Sequence, residues 1–558
     1  MDTDRSLRSA PPLPRPDPWA VAALAIAALV LLPILSVLWI AFAPGADAAD
    51  VWKHLVATTL PRYLRNTFLL MGGVGLLSAA IGTGAAWLVV MHDFPARRFF
   101  EWALLLPLAI PAYIGAYALV DFLEYAGPVQ TGLRELFGWR NAADYWFPEI
   151  RSLGAAVIVL TAALSPYVYL LVRAALMEQS AGVYEVARAL GAGPWGRFLR
   201  VGLPLSRPAL AAGVAIVMME TVNDFGTVDY FAVQTLTTGI FTTWMEAGNV
   251  AGAAQIAVSM LTLILLLVLL EKISRRRLRF YRGARQPRPI IRTPLAGWRG
   301  WLALTGCTIP FAFGFLLPGG VILSHAFDRL GVWTDPALLA ATGNTVAVAG
   351  SAALVTLAAA IVLVYGARLA RSRLPRLLLP VTTIGYAAPG AVLGIGILIP
   401  LAAFDNALAD LVERLTGRNM GLILTGTAFG IVLAYMVRFF ALALGAVDSA
   451  FSRLPPSLPM AARSLGETAR GTLLRVHLPL MRSSIATALL LVFVDGVKEL
   501  PATLILRPFD FNTLATHVYE EASLENLEDA SPAALLMILV GLASVFMIIR
   551  TGRLRHGA

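Results

Sequence analysis

The sequence predicts an all-α polytopic membrane protein, built from two parallel repeats of about six transmembrane helices each. Of its 558 residues, 58% are hydrophobic and only 14% are charged, which is far too apolar for a soluble globular protein. The apolar residues form runs long enough to cross ~30 Å of hydrocarbon. A polar segment between two such runs recurs at a constant offset of 275, which relates Gly191 to Gly466 and Leu203 to Leu478. Such a long internal repeat indicates a duplicated unit.

The first half is assigned to residues 19–270, after a proline-rich, disordered cytoplasmic lead at residues 1–18. A signal peptide is the rival interpretation of its first apolar run, but that run is too long and no clear cleavage site follows it. Pro107 and Pro111 are expected to bend the third span. The predicted spans are Trp19–Phe42, Asn66–Met91, Phe99–Leu123, Leu153–Met177, Pro208–Phe225 and Ala251–Leu270.

An arginine-rich linker at residues 271–300 separates the halves, and its charge places it on the cytoplasmic side of the membrane. The second half, residues 301–549, repeats the plan, with Pro389 matching Pro111 at an offset of 278. Because each half has an even number of spans, the chain returns to the cytoplasm after the first half. Both halves therefore enter the membrane from the cytoplasm, and the repeats are parallel. Residues 550–558 form a cytoplasmic tail. The predicted spans are Trp301–Ala326, Asn344–Leu369, Leu377–Ala403, Leu422–Leu444, Ser484–Leu504 and Pro532–Ile549.

Composition and missing motifs exclude several function classes. The net charge of +10 sits in short loops between apolar spans, which is the positive-inside pattern rather than a nucleic-acid-binding surface. Cys307 is the only cysteine, so an intrachain disulfide and a cysteine-rich metal site are excluded. None of the three lysines (Lys53, Lys272 and Lys498) follows a glycine, so there is no P-loop for ATP. We therefore expect a protein that is not an enzyme and binds no cofactor directly.

The duplicated polar segment comprises residues 185–208 and residues 460–482. Good helix formers run to Leu190, and Gly191 then breaks the helix. Pro194 can start a second short helix, which Leu203-Pro204 is expected to end. One interpretation is a cytoplasmic loop held to lipid headgroups by arginine. Because the segment occurs twice in one register, a docking element for a partner is favoured.

The pattern E-x-A-x-x-x-G followed by Leu-Pro resembles the EAA loop of ABC importer permeases. In that family the loop seats in a groove of a cytoplasmic ATPase. The resemblance therefore implies two ATPase subunits as partners, which would bind the ATP. Met460 replaces the expected glutamate in the second copy, which implies unequal docking of the two halves. The residues assigned to ATPase coupling are Glu185, Ala187, Arg188, Gly191, Pro204, Met460, Ala462, Arg463, Gly466 and Pro479.

Two pairs of carboxylates lie inside predicted spans. Glu220 and Asp224 are four residues apart and share a helix face, and Asp495 and Glu499 follow at the offset of 275. Charged groups at this depth are costly and need a partner, a water-filled path or a proton. Lys498 can offset part of the charge. These residues either line the solute path, or hold the halves together and cap a broken helix. Hard cations such as ferric iron prefer oxygen ligands, but that chemistry selects no single solute.

The stretches DFGTVDYF (224–231) and KELPATLILRPF (498–509) resemble the ferric-iron branch of the ABC importer permeases. This resemblance implies a type I importer fold in the bacterial inner membrane, with a cytoplasmic N-terminus. It also implies a periplasmic binding protein that delivers iron. Glu520, Glu521 and Glu525 are assigned to docking of that protein, with a solvated loop as the alternative. A permease for thiamine, a polyamine or an oxyanion, and a gradient-driven secondary transporter, remain alternatives. The sequence assigns no metal ligands.

Overall fold

Helices make up nearly all of the computed structural model, which describes residues 18–42, 48–276, 292–370, 374–383, 385, 388–418, 421–455 and 457–556. Residues 1–17 of the predicted lead and residues 277–291, half of the predicted linker, therefore lie outside the described residues. Within the described part, eleven helices are long and apolar enough to cross a membrane, and a bent helix pair brings the number to twelve. The prediction of an all-α polytopic membrane protein is confirmed.

The first half contains thirteen of the described helices and the second half twelve. Those of the first half are α1 (Pro18–Phe42), α2 (Ala48–Ala57), α3 (Leu60–Met91), α4 (Arg97–Ala103), α5 (Ala112–Leu123), α6 (Pro128–Phe137), α7 (Leu153–Met177), α8 (Ala181–Ala189), α9 (Pro194–Arg197), α10 (Leu203–Asn223), α11 (Gly226–Tyr230), α12 (Leu236–Phe241) and α13 (Val250–Arg276). Those of the second half are α14 (Trp298–Phe311), α15 (Leu317–Asp328), α16 (Pro336–Leu369), α17 (Leu374–Thr382), α18 (Gly390–Thr416), α19 (Phe429–Ser452), α20 (Ser457–Ser464), α21 (Ala469–Thr472), α22 (Leu478–Val497), α23 (Pro501–Leu506), α24 (Leu514–Ser523) and α25 (Leu527–His556).

Prolines break the third span of each half. In the first half, α4 and a 3₁₀ turn at Leu106–Ala109 meet α5 and α6 at an angle of 94°. Pro111 has no N–H and forces Ile110 into an extended conformation, so the helix restarts after it. Pro389 occupies the matching position before α18. The predicted bend in the first half is confirmed, and the span predicted at Leu377–Ala403 is divided between α17 and α18.

The expectation that Leu203-Pro204 ends a helix is also wrong. The chain passes from α9 through a π-helical turn at Phe198–Gly202 directly into α10, and Leu473–His477 does the same before α22. In a π turn each N–H bonds to the carbonyl oxygen five residues earlier, one residue further than in an α-helix. The helix can therefore continue through a proline, which has no N–H to donate. The short loop helix is thereby joined to a membrane span as one continuous rod.

Matched hydrogen bonds show that the two halves share one architecture. The Asn66 side chain donates to the Gln234 carbonyl oxygen over 2.9 Å, and Asn344 donates to that of Asn512 over 3.0 Å. The next residue of each pair, Thr67 or Thr345, accepts a backbone N–H at the start of a short helix. Each partner in the second half matches its counterpart in the first at an offset of 278, which confirms the repeat at the level of contacts.

The first span of each half packs on the other half. Helix α1 lies against α16 and α18, and Trp19 contacts Tyr365 edge-on with ring centroids 5.1 Å apart. Helices α14 and α15 lie against the first half, where Phe311 contacts Phe99 at 5.5 Å. The boundary in sequence at residues 271–300 therefore separates the repeats, but not two independent packing units.

The end of the linker is fixed to the first half. His92–Asp93 and Thr293–Pro294 form a short parallel strand pair, and the Leu295 N–H donates to the Asp93 carbonyl oxygen over 2.8 Å. The loop after α3 is therefore held against the chain segment that leads into the second half.

Candidate functional site

A cavity of about 370 Å³ lies between the two halves. All five residues predicted for the solute path line it, although they come from distant parts of the chain. They lie where α10 and α22 end and where the short helices α11 and α23 begin. These residues are Glu220, Asp224, Asp495, Lys498 and Glu499.

One carboxylate of each pair caps a short helix. Asp224 accepts the backbone N–H groups of Thr227 and Val228 over 3.0 and 3.1 Å, and the Thr227 hydroxyl over 2.9 Å. Glu499, at the matching position, accepts the Ala502 N–H over 3.0 Å. A helix that starts inside the membrane leaves donors without an intrahelical partner, and these carboxylates satisfy them. The alternative role of capping a broken helix is therefore met by Asp224 and Glu499.

Glu220 and Asp495, the other carboxylate of each pair, are half-buried in the cavity wall. Within the described residues neither side chain has a hydrogen bond or an ion pair to protein. They are thus the cavity carboxylates that cap no helix and pair with no cation in the described part of the structure.

Arg438, which the sequence analysis did not single out, also lines the cavity. Its Nε lies 3.1 Å from Glu499 Oε2, and the two side chains are only 14% and 4% exposed. An arginine inside a predicted span is itself unusual, and that signal could have identified it. Comparison of the two halves could not identify Arg438, because the matching position in the first half, at the offset of 275, is Ala163.

Lys498 joins the halves through a backbone group. Its Nζ donates to the Leu108 carbonyl oxygen over 2.8 Å, at the 3₁₀ turn that precedes α5. The cavity thus holds four carboxylates against two cationic side chains. No group of three or more potential metal-ligating side chains is found in the described part of the chain. The charged side chains of the described cavity wall therefore sum to a negative charge. The carboxylates are spread along the wall and are not gathered into a metal site.

Further contacts join the two halves, one of them next to Phe225 in the cavity wall. The Tyr519 hydroxyl donates to Asp229 Oδ2 over 2.8 Å, and the Tyr519 and Phe225 rings are 5.7 Å apart. Arg151 binds Glu124 over 2.8 Å and Glu525 over 3.0 Å. The side-chain hydrogen bond to Glu124 raises the pKa of Arg151. The second carboxylate partner of Arg151, Glu525, lies in the other half.

Most of the acidic residues assigned to docking already have intramolecular partners. Arg507 lies 2.5 Å from Glu520, and the Asn512 side chain donates to the same carboxylate over 2.6 Å. Glu525 is the partner of Arg151 described above. Among the three docking residues, only Glu521 lacks an ion pair in the described part of the structure.

The duplicated loops fold alike. Gly191 lies two residues after the end of α8 and Gly466 two residues after the end of α20, and their φ angles are +82° and +85°. In each loop the glycine N–H and the next N–H bond back to the helix over 2.9 to 3.0 Å, a Schellman motif. The adjacent Leu190 and Leu465 are 82% and 84% exposed. Six of the candidate spans in the described residues separate the two loops, and an even number of spans places both loops on the same side of the membrane.

The two loops differ in one ion pair. Arg475 contacts Glu467 over 2.6 Å in the second loop, and the first loop has Arg200 and Ala192 at these positions. Glu185 and Met460 occupy equivalent positions, and both side chains are exposed. The remaining coupling residues also lie in or directly beside these loops, so the fold brings each predicted set together.

Paired membrane bundles around a charged cavity, with two matched polar loops on one face, define a duplicated membrane permease. The chain belongs to the family described as the binding-protein-dependent transport system inner membrane component, whose model matches residues 76–280 and 352–554. One match falls in each half. The chain is therefore an ABC importer permease with two fused halves, as the sequence predicted.

Several known permeases are similar to the chain, one of them over nearly its full length. The chain is 26% identical to the Fe(3+)-transport system permease protein FbpB 2 of Haemophilus influenzae, over 96% of this chain and 98% of the relative. It is 23% identical to the putative ferric transport system permease protein FbpB 1 of the same organism, over 86% of this chain and 75% of the relative. The molybdenum transport system permease protein ModB of Escherichia coli is 28% identical and covers 36% of this chain and 89% of its own length.

Replacing Asp224 with asparagine should slow transport while the protein still assembles. The amide oxygen can keep a cap on α11, but the charge is lost, and we expect a loss of about 1 kcal/mol in stability. Transport in proteoliposomes and the thermal unfolding midpoint measure the two effects. Glu499→Gln is the matched variant in the second half. If transport is unchanged and only stability falls, the carboxylate serves the fold alone.

Proposed function

We propose that this permease imports ferric iron. The observation that carries the proposal is the excess of carboxylates in the central cavity, which disfavours an oxyanion and provides the oxygen ligands that hard cations prefer. Similarity to two ferric permeases, over 96% and 86% of this chain, supports the same solute. Glu220 and Asp495 would face the ion directly, while Asp224, Lys498 and Glu499 hold the wall of the path in place and contribute to its charge.

Two cytoplasmic ATPase subunits would bind at the duplicated loops and supply the energy, with ATP bound only by those partners. Exposed Leu190 and Leu465 provide apolar anchors, and each stands at the end of a helical rod that reaches the cavity. Movement of a loop would thus be transmitted along α10 or α22 to the acidic residues. The arginine content of the loops supports a cytoplasmic location, and with it an inner-membrane protein whose N-terminus is cytoplasmic.

A periplasmic binding protein would deliver iron on the opposite face. Because Glu520 and Glu525 have arginine partners, Glu521 is the acidic residue of the patch that remains most available to it. Opening towards that face requires the Tyr519–Asp229 hydrogen bond and the Arg151–Glu525 ion pair to break.

The decisive experiment measures ATPase activity of the complete complex in proteoliposomes, with candidate binding proteins loaded with iron, molybdate or sulfate. Stimulation by the iron-loaded protein, together with uptake of radioactive iron, is the expected result. Stimulation only by an oxyanion-loaded protein would replace iron with that solute. Uptake that a protonophore abolishes while ATP depletion has no effect would instead indicate a gradient-driven transporter.

A further inference from the structure

A second cavity, of about 100 Å³, lies beside the first loop helix, between α8, α9 and the end of α3. Its wall includes Trp87, His92, Tyr184, Glu185, Arg188 and Arg197. The cavity lies next to the strand pair that fixes the end of the linker, since Thr293 also contributes to its wall.

Two nitrogen atoms in this cavity have unmet hydrogen-bonding capacity. His92 is 7% exposed, and its Nδ1 is buried without a partner among the described residues. The Nε of Arg197 is likewise buried and unpartnered in this part of the structure. A buried polar group without a partner costs free energy, which a ligand that satisfies it would recover.

The charge and size of the cavity define the ligand class. Among the described residues, the cavity wall holds two guanidinium groups, of Arg188 and Arg197, and one carboxylate, of Glu185, so the wall is net positive. Guanidinium groups match the geometry of phosphate oxygens. Nδ1 of His92 can accept from a phosphate hydroxyl or, in the protonated ring, donate to a phosphate oxygen. The volume is about that of three water molecules, which suits one tetrahedral group.

The second half lacks the two side chains with unpartnered nitrogen atoms. Ala370 matches His92 at an offset of 278, and Thr472 matches Arg197 at an offset of 275. A ligand in this pocket would therefore act on the first of the two duplicated loops only. It would link α8 and α9 on either side of the Gly191 turn, and it would fix that loop against the membrane bundle.

We propose that this pocket binds a phosphate-class oxyanion, either a free phosphate or the headgroup of an anionic lipid. The bound anion would set the position of the first duplicated loop. The inference does not depend on which solute the chain transports.

The test uses the full-length chain in lipid-stripped maltoside micelles, with two arms. Equilibrium binding of radioactive inorganic phosphate measures the free anion, and native mass spectrometry after addition of phosphatidylglycerol measures the lipid. We expect a single saturable site in at least one arm. Arg197→Gln should weaken it about tenfold or more, the factor that corresponds to one hydrogen bond to a charged group.

Arg470→Gln is the matched control, because Arg470 is an exposed arginine of the second loop and contributes to no such pocket. It should leave binding unchanged. Should Arg197→Gln unfold, His92→Ala provides the same test. The absence of a saturable site in both arms would overturn the proposal. An equal loss in Arg470→Gln would overturn it too, because binding would then depend on diffuse surface charge.

Discussion

Replacing Arg438 with leucine is expected to lower the free energy of unfolding by about 3–5 kcal/mol, the range for removing one partner of a buried ion pair. The change leaves Glu499, which is 4% exposed, without its cationic partner. The Ala502 N–H still bonds to this carboxylate, but one neutral donor does not offset the cost of a buried charge. Transport should fall as well, because the cavity loses one of its two cations.

A double-mutant cycle separates the ion pair from other effects. Glu499→Gln keeps an acceptor for the Ala502 N–H, so the variant Arg438→Leu/Glu499→Gln should recover most of the stability that Arg438→Leu loses. Unfolding free energies in mixed micelles give the coupling energy. Arg414→Leu, at an exposed position of α18, is the matched control and should change stability by less than about 0.5 kcal/mol. A loss of under about 1 kcal/mol in Arg438→Leu would show that water or a proton already compensates Glu499.

Local sequence rules predicted those features of the fold that depend on neighbouring residues. Pro107 and Pro111 lack backbone donors, and the third span bends there. Gly191 and Gly466 end their helices in the left-handed conformation that glycine adopts without strain. The π turns before Pro204 and Pro479 were not predicted, because a proline can either end a helix or be absorbed by it. The surrounding membrane span decides between these outcomes.

Features that depend on distant residues could not be predicted in the same way. The apolar run of α1 indicates a span but does not specify which helices it packs against, and its contacts with α16 and α18 appear only in three dimensions. The repeat located Asp224 and Glu499 but could not show that they cap short helices. The repeat also gave no signal for Arg438, because alignment of the halves identifies only residues that both halves share. The partners of Glu520 and Glu525 are arginines that lie far away or in another element.

Replacing Gly191 with valine is expected to uncouple transport from ATP hydrolysis, with little effect on assembly. The residue has φ of +82°, which a β-branched side chain adopts only with strain of about 1–3 kcal/mol. A Cβ atom there would meet nothing within 4 Å, so the effect comes from the backbone conformation and not from a clash. Relief of the strain would open the turn between α8 and α9. Gly466→Val should act in the same way on the second loop, where φ is +85°.

The chain offers a matched control two residues away. Gly193 has φ of −66°, and a Cβ atom there would also meet open space, so Gly193→Val adds the same bulk without left-handed strain. Gly191→Asn should retain most activity, because asparagine tolerates the left-handed region. Uptake and ATPase rate are measured together in proteoliposomes of the complete complex, and the uptake-to-hydrolysis ratio should fall about tenfold in Gly191→Val. An equal fall in Gly193→Val would mean that surface bulk blocks the partner. An unchanged ratio in both Gly191→Val and Gly466→Val would mean that the ATPase does not act through these turns.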